Sequence, residues 1–285
     1  MGEWVSSFRG GSSGRRRFAH GIVALALLGS LCGATGCSTL GHRLHTGQLA
    51  AAQTRRVTLS HAVRDAFLDV QTWLPAAAAV VFAAADLDDP VSDWATEHTP
   101  LFGSRDAARN ASDYLNWALQ AETLATVLAR PTGEVDKPWW QAQAKPLGVE
   151  LLAAGVPSGI TQGLKPLANR RRPDGSDNRS FPSGHATSAF SMAALSNRNL
   201  DAINPSPGIK YPLQIGNVLM ASGTAWARIE GAQHFPSDVL AGAAIGHFFS
   251  AVLHDVLLGI PRSQRVQLIV EPSKDETMLY IVFPF

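Results

Sequence analysis

From Thr58 onward, apolar positions recur mostly at steps of three and four, the spacing of one helical face, with Pro, Gly, Ser and Asp punctuating the runs. Thr58 or Ser60 caps a first predicted helix to about Trp73, Pro75 breaks or kinks it, and an Ala/Val-rich run carries it to Ala85. Residues 86–100, with Asp89-Pro90 and Thr99-Pro100, read as a loop. Ser104 caps the next helix, to about Arg130, on which Tyr114, Trp117, Ala121, Leu124 and Leu128 form an apolar face. Pro131 and Gly133 end it. A further helix runs from Pro138 to about Leu164, where Pro146 and Pro157 are expected to bend or divide it. Three more helices are predicted, over residues 184–195, 213–227 and from Pro236 onward. The period then changes. Residues 265–271 and 278–285 have strand character around a polar turn, with Leu279, Ile281, Phe283 and Phe285 on one face. That alternation is reminiscent of the last strand of an outer-membrane barrel, but two strands close no barrel, so a hairpin packed on the helices is the expectation.

The N-terminus is of another kind. Arg15, Arg16 and Arg17 precede an apolar run over residues 21–31 and then Ala34-Thr35-Gly36-Cys37. This is the pattern of an export signal, too short for a spanning helix. Its end resembles a lipobox, in which Cys37 becomes the lipid-carrying first residue; Gly36 fits, while Ala34 replaces the usual Leu. Ordinary cleavage nearby is the alternative. Arg15-Arg16 followed by Phe18 also resembles a twin-arginine signal, although Gly14 stands where Ser or Thr is usual, and export by the general route stays equally open. Ser38 after the cysteine resembles the sorting pattern for an outer membrane. The expected organisation is a signal peptide over residues 1–36, a tether over 37–56, a helical domain over 57–262 and a hairpin over 263–285. The expected location is the cell envelope, lipid-anchored at the outer membrane and facing the periplasm.

Composition narrows the partners. Lys and Arg total 24 against 23 Asp and Glu, so no nucleic-acid partner is expected. The chain is 46% hydrophobic and 16% charged, enough for a substantial core. Cys32 and Cys37 are the only two cysteines, leaving the domain without a disulfide or a thiolate metal site. No segment after the signal has an uncharged apolar run of about 20 residues, the nearest being 239–252 with His247 inside it, so a lipid-tethered globular domain is favoured over an integral one. At least one ring of Trp139-Trp140 is expected in the core. His247 and His254 are seven residues apart, about 10 Å along a helix, and cannot readily share an ion.

Three polar clusters interrupt this background: Lys165 with Arg172-Pro173, then Pro182-Ser183-Gly184-His185, then Arg228, His234 and Asp238. A planar Arg fork and a Lys point charge suit a phosphate group. Ser183 and Gly184 at a helix start add a hydroxyl and backbone N–H donors. Arg170 and Arg171 are expected on the solvated rim.

In their order and internal spacing the clusters resemble the type 2 phosphatidic acid phosphatase (PAP2) superfamily, which also holds bacterial class A acid phosphatases, lipid phosphatases, glucose-6-phosphatase and vanadium haloperoxidases. One position departs: Ala227 stands where the family has Ser. The resemblance implies a mainly α, PAP2-type helical bundle, here with a short C-terminal β-hairpin. It implies a phosphatase without metal or other cofactor, acting on phosphomonoesters or lipid (di)phosphates through a phosphohistidine. His234 would attack phosphorus, Asp238 would hold its other ring nitrogen, and His185 would protonate the leaving alkoxide. Lys165, Arg172, Ser183, Gly184 and Arg228 would bind the phosphate. The substrate is then a phosphate ester or phospholipid, met at a membrane reached through the Cys37 anchor. The alternatives are a vanadium-dependent haloperoxidase and a non-catalytic envelope lipoprotein that binds phosphate-bearing lipids.

Overall fold

The computed structural model describes residues 57–259, with the backbone of 267–272 and 277–282. The signal segment, Cys37 and the tether over 37–56 lie outside the described residues. Eight helices make up the described bundle: α1 (Leu59–Leu68), α2 (Val70–Ala84), α3 (Asp88–His98), α4 (Arg105–Ala129), α5 (Trp139–Ala168), α6 (Gly184–Ile203), α7 (Pro207–Glu230) and α8 (Pro236–Leu258).

The contact between α6 and α8 organises the rest. A Cβ added at Gly242 would run into the Ser183 carbonyl, and one at Gly246 into the carbonyl of Thr187. Two glycines four apart lie on one helical face, so together they let the α8 backbone settle directly on α6. Ser191 Oγ donates to the Gly246 carbonyl at 3.2 Å across the crossing. At its end the Ser183 amide donates to the Asp238 carbonyl at 3.0 Å, bringing the first turns of both helices together.

Several boundaries differ from the sequence expectation. The break in the first predicted helix falls at Asp69, whose carboxylate accepts from the Gln71 amide at 3.0 Å and starts α2, with α1 and α2 bent by 58°; Pro75 lies inside α2. Residues taken as a loop contain α3, because Asp88 and Asp89 favour a helix start and Pro90 is tolerated in a first turn. Helix α5 runs undivided through Pro146, Pro157 and Pro166. Trp139 and Trp140 are both exposed, at 61% and 65%, contrary to the core placement expected for one of them.

The bundle is lined with small side chains. Ala95, Ala108, Ala153, Ala189, Ala221 and Ala251 are fully buried, while Leu59, Leu151, Leu167 and Leu219 are more than half exposed. Leu119, Leu195 and Leu200 are buried with the alanines, so the leucines divide between the core and the outer faces of the bundle. Helix α8 is long and apolar enough to cross a membrane, yet most of it is buried in the bundle, as the core helix of a soluble protein also would be. Between α6 and α8, Arg198 grips Asp255 bidentately, Nε to Oδ1 at 2.9 Å and Nη2 to Oδ2 at 3.2 Å, both residues buried.

Past the bundle, β1 (Gln267–Pro272) pairs antiparallel with β2 (Thr277–Val282), Gln267 opposite Val282. How this hairpin packs lies outside the described residues.

Candidate active site

Lys165 lies in the last turn of α5, which Asn169 ends in a left-handed conformation. Its buried Nζ donates to the carbonyls of Arg179 at 2.7 Å and Pro182 at 2.8 Å. That pins the loop leading into α6 and leaves one of three N–H groups for an anion. Burial, with Arg172 adding like charge, pushes the ammonium down to about 8, so it is still charged at neutral pH.

Arg172 and Arg228 converge on one oxygen. Gln233 Oε1 accepts from Arg172 Nη1 at 2.7 Å and from Arg228 Nη2 at 3.2 Å. Arg172 Nε is held by Asp177 at 2.7 Å, and Arg228 Nη1 donates to Ser112 Oγ at 3.1 Å. Arg228 Nε is buried without a partner. Burial, and then the charge of Arg172, lowers the Arg228 guanidinium to about 10. Two forks meeting at one neutral oxygen form an anion-binding arrangement. The α6 N-terminus supplies the remaining donors: Ser183 caps it, its Oγ accepting from the Ala186 amide at 3.4 Å, and Gly184 opens it. A Cβ at Gly184 would meet only Gln162 Nε2 at 3.5 Å, an ordinary contact, so nothing in the protein itself demands glycine there.

His234 precedes α8 and is 2% exposed. Its Nδ1 donates to the Ser180 carbonyl at 2.6 Å, whereas Asp238 Oδ2 stands 3.9 Å from that nitrogen. The short hydrogen bond thus goes to a backbone carbonyl, with the Asp238 carboxylate beyond it as a charge partner. A carbonyl only accepts, so the neutral ring carries its proton on Nδ1 and keeps the Nε2 lone pair. Burial pushes the imidazole down to about 4, making the neutral form the resting one. Asp238 accepts from the Ser180 hydroxyl and, at 2.9 Å, from the Phe235 amide. Burial alone would raise its carboxyl, but His234, Ser180 and Arg170 hold it below the usual range.

His185, in the first turn of α6, meets Asp113 of α4, Nε2 to Oδ1 at 2.8 Å. Burial and Arg228 lower its pKa, and Asp113 opposes them. Arg228 acts on both imidazoles, so the three clusters share one electrostatic site.

Residues 143–259, which hold all eight candidate site residues of the three clusters, match the PAP2 superfamily model. This segment is similar to the PAP2 superfamily. Over 102 residues the chain is 33% identical to a lipid A 1-phosphatase of Porphyromonas gingivalis, covering 36% of this chain and 22% of that protein. Over 129 residues it is 32% identical to a decaprenylphosphoryl-5-phosphoribose phosphatase of Mycobacterium tuberculosis, covering 41% of this chain and 66% of the relative. The chain therefore spans about a fifth of the first and just under two thirds of the second. These homologues are lipid phosphatases by name. A transmembrane PAP2-type phosphatidylglycerolphosphate phosphatase from Bacillus subtilis aligns with TM-score 0.41 and 19% identity, over 85% of this chain and 98% of that one.

Several residues of the candidate site carried no readable mark. Asp113 and Ser112 come from α4, outside the matched segment. Gln233 and Ser180 adjoin the clusters, and polar neighbours of His234 and Ser183 were the available clue. Arg170, expected on the rim, instead hydrogen-bonds the buried Asp238 at 2.7 Å.

Proposed function

We propose that this protein is a metal-independent lipid-phosphate phosphatase that works through a phosphohistidine at His234. The carrying observation is the Ser180 carbonyl at 2.6 Å from Nδ1, which leaves Nε2 as a neutral nucleophile on a ring that feels the charges of Arg228 and Lys165. Nε2 attacks phosphorus while Lys165, Arg172, Arg228 and the α6 N-terminus balance the charge spreading over the equatorial oxygens. The P–O bond to the leaving group breaks, and His185 gives that oxygen its proton. In the second half, neutral His185 takes a proton from water, the water oxygen attacks the phosphohistidine, and inorganic phosphate leaves with Nε2 restored.

A lipid phosphate as substrate draws support from the names of the relatives and from the uncovered leucines, which suit a surface lying against lipid. The chain is read as exported and anchored through Cys37 at the outer membrane, facing the periplasm. Phosphate release from a panel of soluble and lipid phosphates, with His234→Ala beside the wild type, tests the reaction. Turnover that EDTA leaves intact and His234→Ala abolishes, with a phosphohistidine trapped by alkaline quench, supports it; strong EDTA inhibition reversed by zinc overturns the metal-free mechanism. Anchoring is tested by fatty-acid labelling, which Cys37→Ala should abolish.

A further inference from the structure

Arg170 and Asp88 lie behind the nucleophile and belong to none of the three clusters. Arg170 Nη1 donates to Asp238 Oδ1 and to Ser237 Oγ, each at 2.7 Å, and Nη2 donates to Asp88 Oδ2 at 2.8 Å. Its Cζ sits 4.3 Å from the centre of the Phe235 ring. Asp88, in the first turn of α3, accepts from the Ser237 amide at 2.8 Å and from the Ser237 hydroxyl. Both carboxylates are buried. The main chain of Arg170 belongs to the same circuit, because its carbonyl accepts from the Ser180 amide at 2.9 Å, and Ser180 in turn faces His234 Nδ1. One residue therefore holds the Asp238 carboxylate through its guanidinium and the acceptor of His234 through its backbone.

We propose that Arg170, anchored by Asp88, is a positioning residue that sets the charge and orientation of the Asp238, Ser180 and His234 unit. This rests on the reading of His234 as nucleophile. A buried carboxylate without a cation would either take up a proton or draw one onto the neighbouring imidazole. The permanent charge of Arg170 balances Asp238, so His234 stays neutral and nucleophilic. Asp88 occupies the other arm of the fork and keeps the guanidinium from swinging into solvent. Lys165 from α5 and Arg228 from α7 also face His234, and their charges act on it in the same sense as Arg170.

The test follows the His234 titration by NMR in protein with 13C-labelled histidine, assigned against His234→Gln, for the wild type, Arg170→Met, Arg170→Lys and Asp88→Asn. In Arg170→Met the unbalanced Asp238 should move the His234 titration to higher pH and shift the acid limb of kcat/KM with it. Its kcat should fall about ten- to hundredfold, less than the ~10⁴-fold loss from removing an orienting carboxylate outright. KM should change by less than about threefold, the sign of an effect confined to the transition state. Arg170→Lys should restore the titration but only part of kcat, because it keeps the charge and loses the fork. Asp88→Asn frees Arg170 to neutralise Asp238 more fully and should move the titration the opposite way. A packing role alone predicts no such opposition. If Arg170→Met does not fold, the Arg170→Lys and Asp88→Asn titrations decide. Wild-type titration in every folded variant overturns the proposal. If the wild type itself releases no phosphate, the phosphatase reading falls while the titrations still decide the clamp.

Discussion

Asp113 Oδ1 lies 2.8 Å from His185 Nε2, joining α4 to the first turn of α6 and supplying the carboxylate that keeps a half-buried imidazole protonatable. Burial and Arg228 push this histidine down, and Asp113 pulls it back up. In Asp113→Asn the acid form of His185 should be lost at lower pH, so the alkaline limb of kcat should move down. The kcat of that variant should fall about ten- to hundredfold, the low end of what a positioned acid contributes. A full pH–rate profile checks both.

Gln233 presents a neutral oxygen to two guanidiniums, and a negative one there would compete with phosphate. Gln233→Glu should raise KM and the vanadate inhibition constant by roughly tenfold with little loss of kcat, the pattern expected when ground-state and transition-state binding weaken equally. Vanadate titration at fixed substrate measures it.

Lys165 makes anion binding depend on alkaline pH. With its pKa lowered to about 8 from 10.5, its charge is present below that pH and lost above it. Competitive inhibition by phosphate should therefore weaken as pH rises through about 8. In Lys165→Met, binding should be weak throughout and that transition absent, as calorimetric titration across pH 6–9 would show.

The crossing of α6 and α8 leaves no room for a side chain. Gly246→Ala should destabilise the protein by about 1–3 kcal/mol, as overpacking does. Gly242→Ala pushes on the Ser183 carbonyl and should lower activity beyond its effect on stability. Thermal melts paired with activity at a permissive temperature separate the two.

Arg198 and Asp255 form a buried pair that is costly to halve. Arg198→Met should cost about 3–5 kcal/mol, and Arg198→Met with Asp255→Leu should recover much of it. Chemical denaturation of the single and double variants reads the difference.

The eight candidate site residues were legible through their resemblance to the PAP2 pattern, with helix punctuation agreeing in places: Ser183-Gly184 and Pro236-Ser237 announce starts, and Lys165 falls where a helix ends. Their reinforcing partners were not. Asp88 meets Arg170 across 82 positions and Asp113 meets His185 across 72, and nothing local to an aspartate reveals which cation the fold brings to it. Helix α3 was hidden by the same residues that build it, since Asp and Pro favour a first helical turn as readily as a loop. The exposed leucines escaped notice because periodicity locates an apolar face without saying what covers it.

The acceptor that decides which His234 nitrogen stays bare belongs to the main chain, and every amino acid at position 180 supplies it. The tautomer of the nucleophile is thereby insulated from side-chain drift at that position, whereas its charge still answers to the Ser180 hydroxyl and to Arg170 through Asp238. Only a change that reroutes the polypeptide between Arg179 and Pro182, where Lys165 grips both carbonyls, would switch the tautomer.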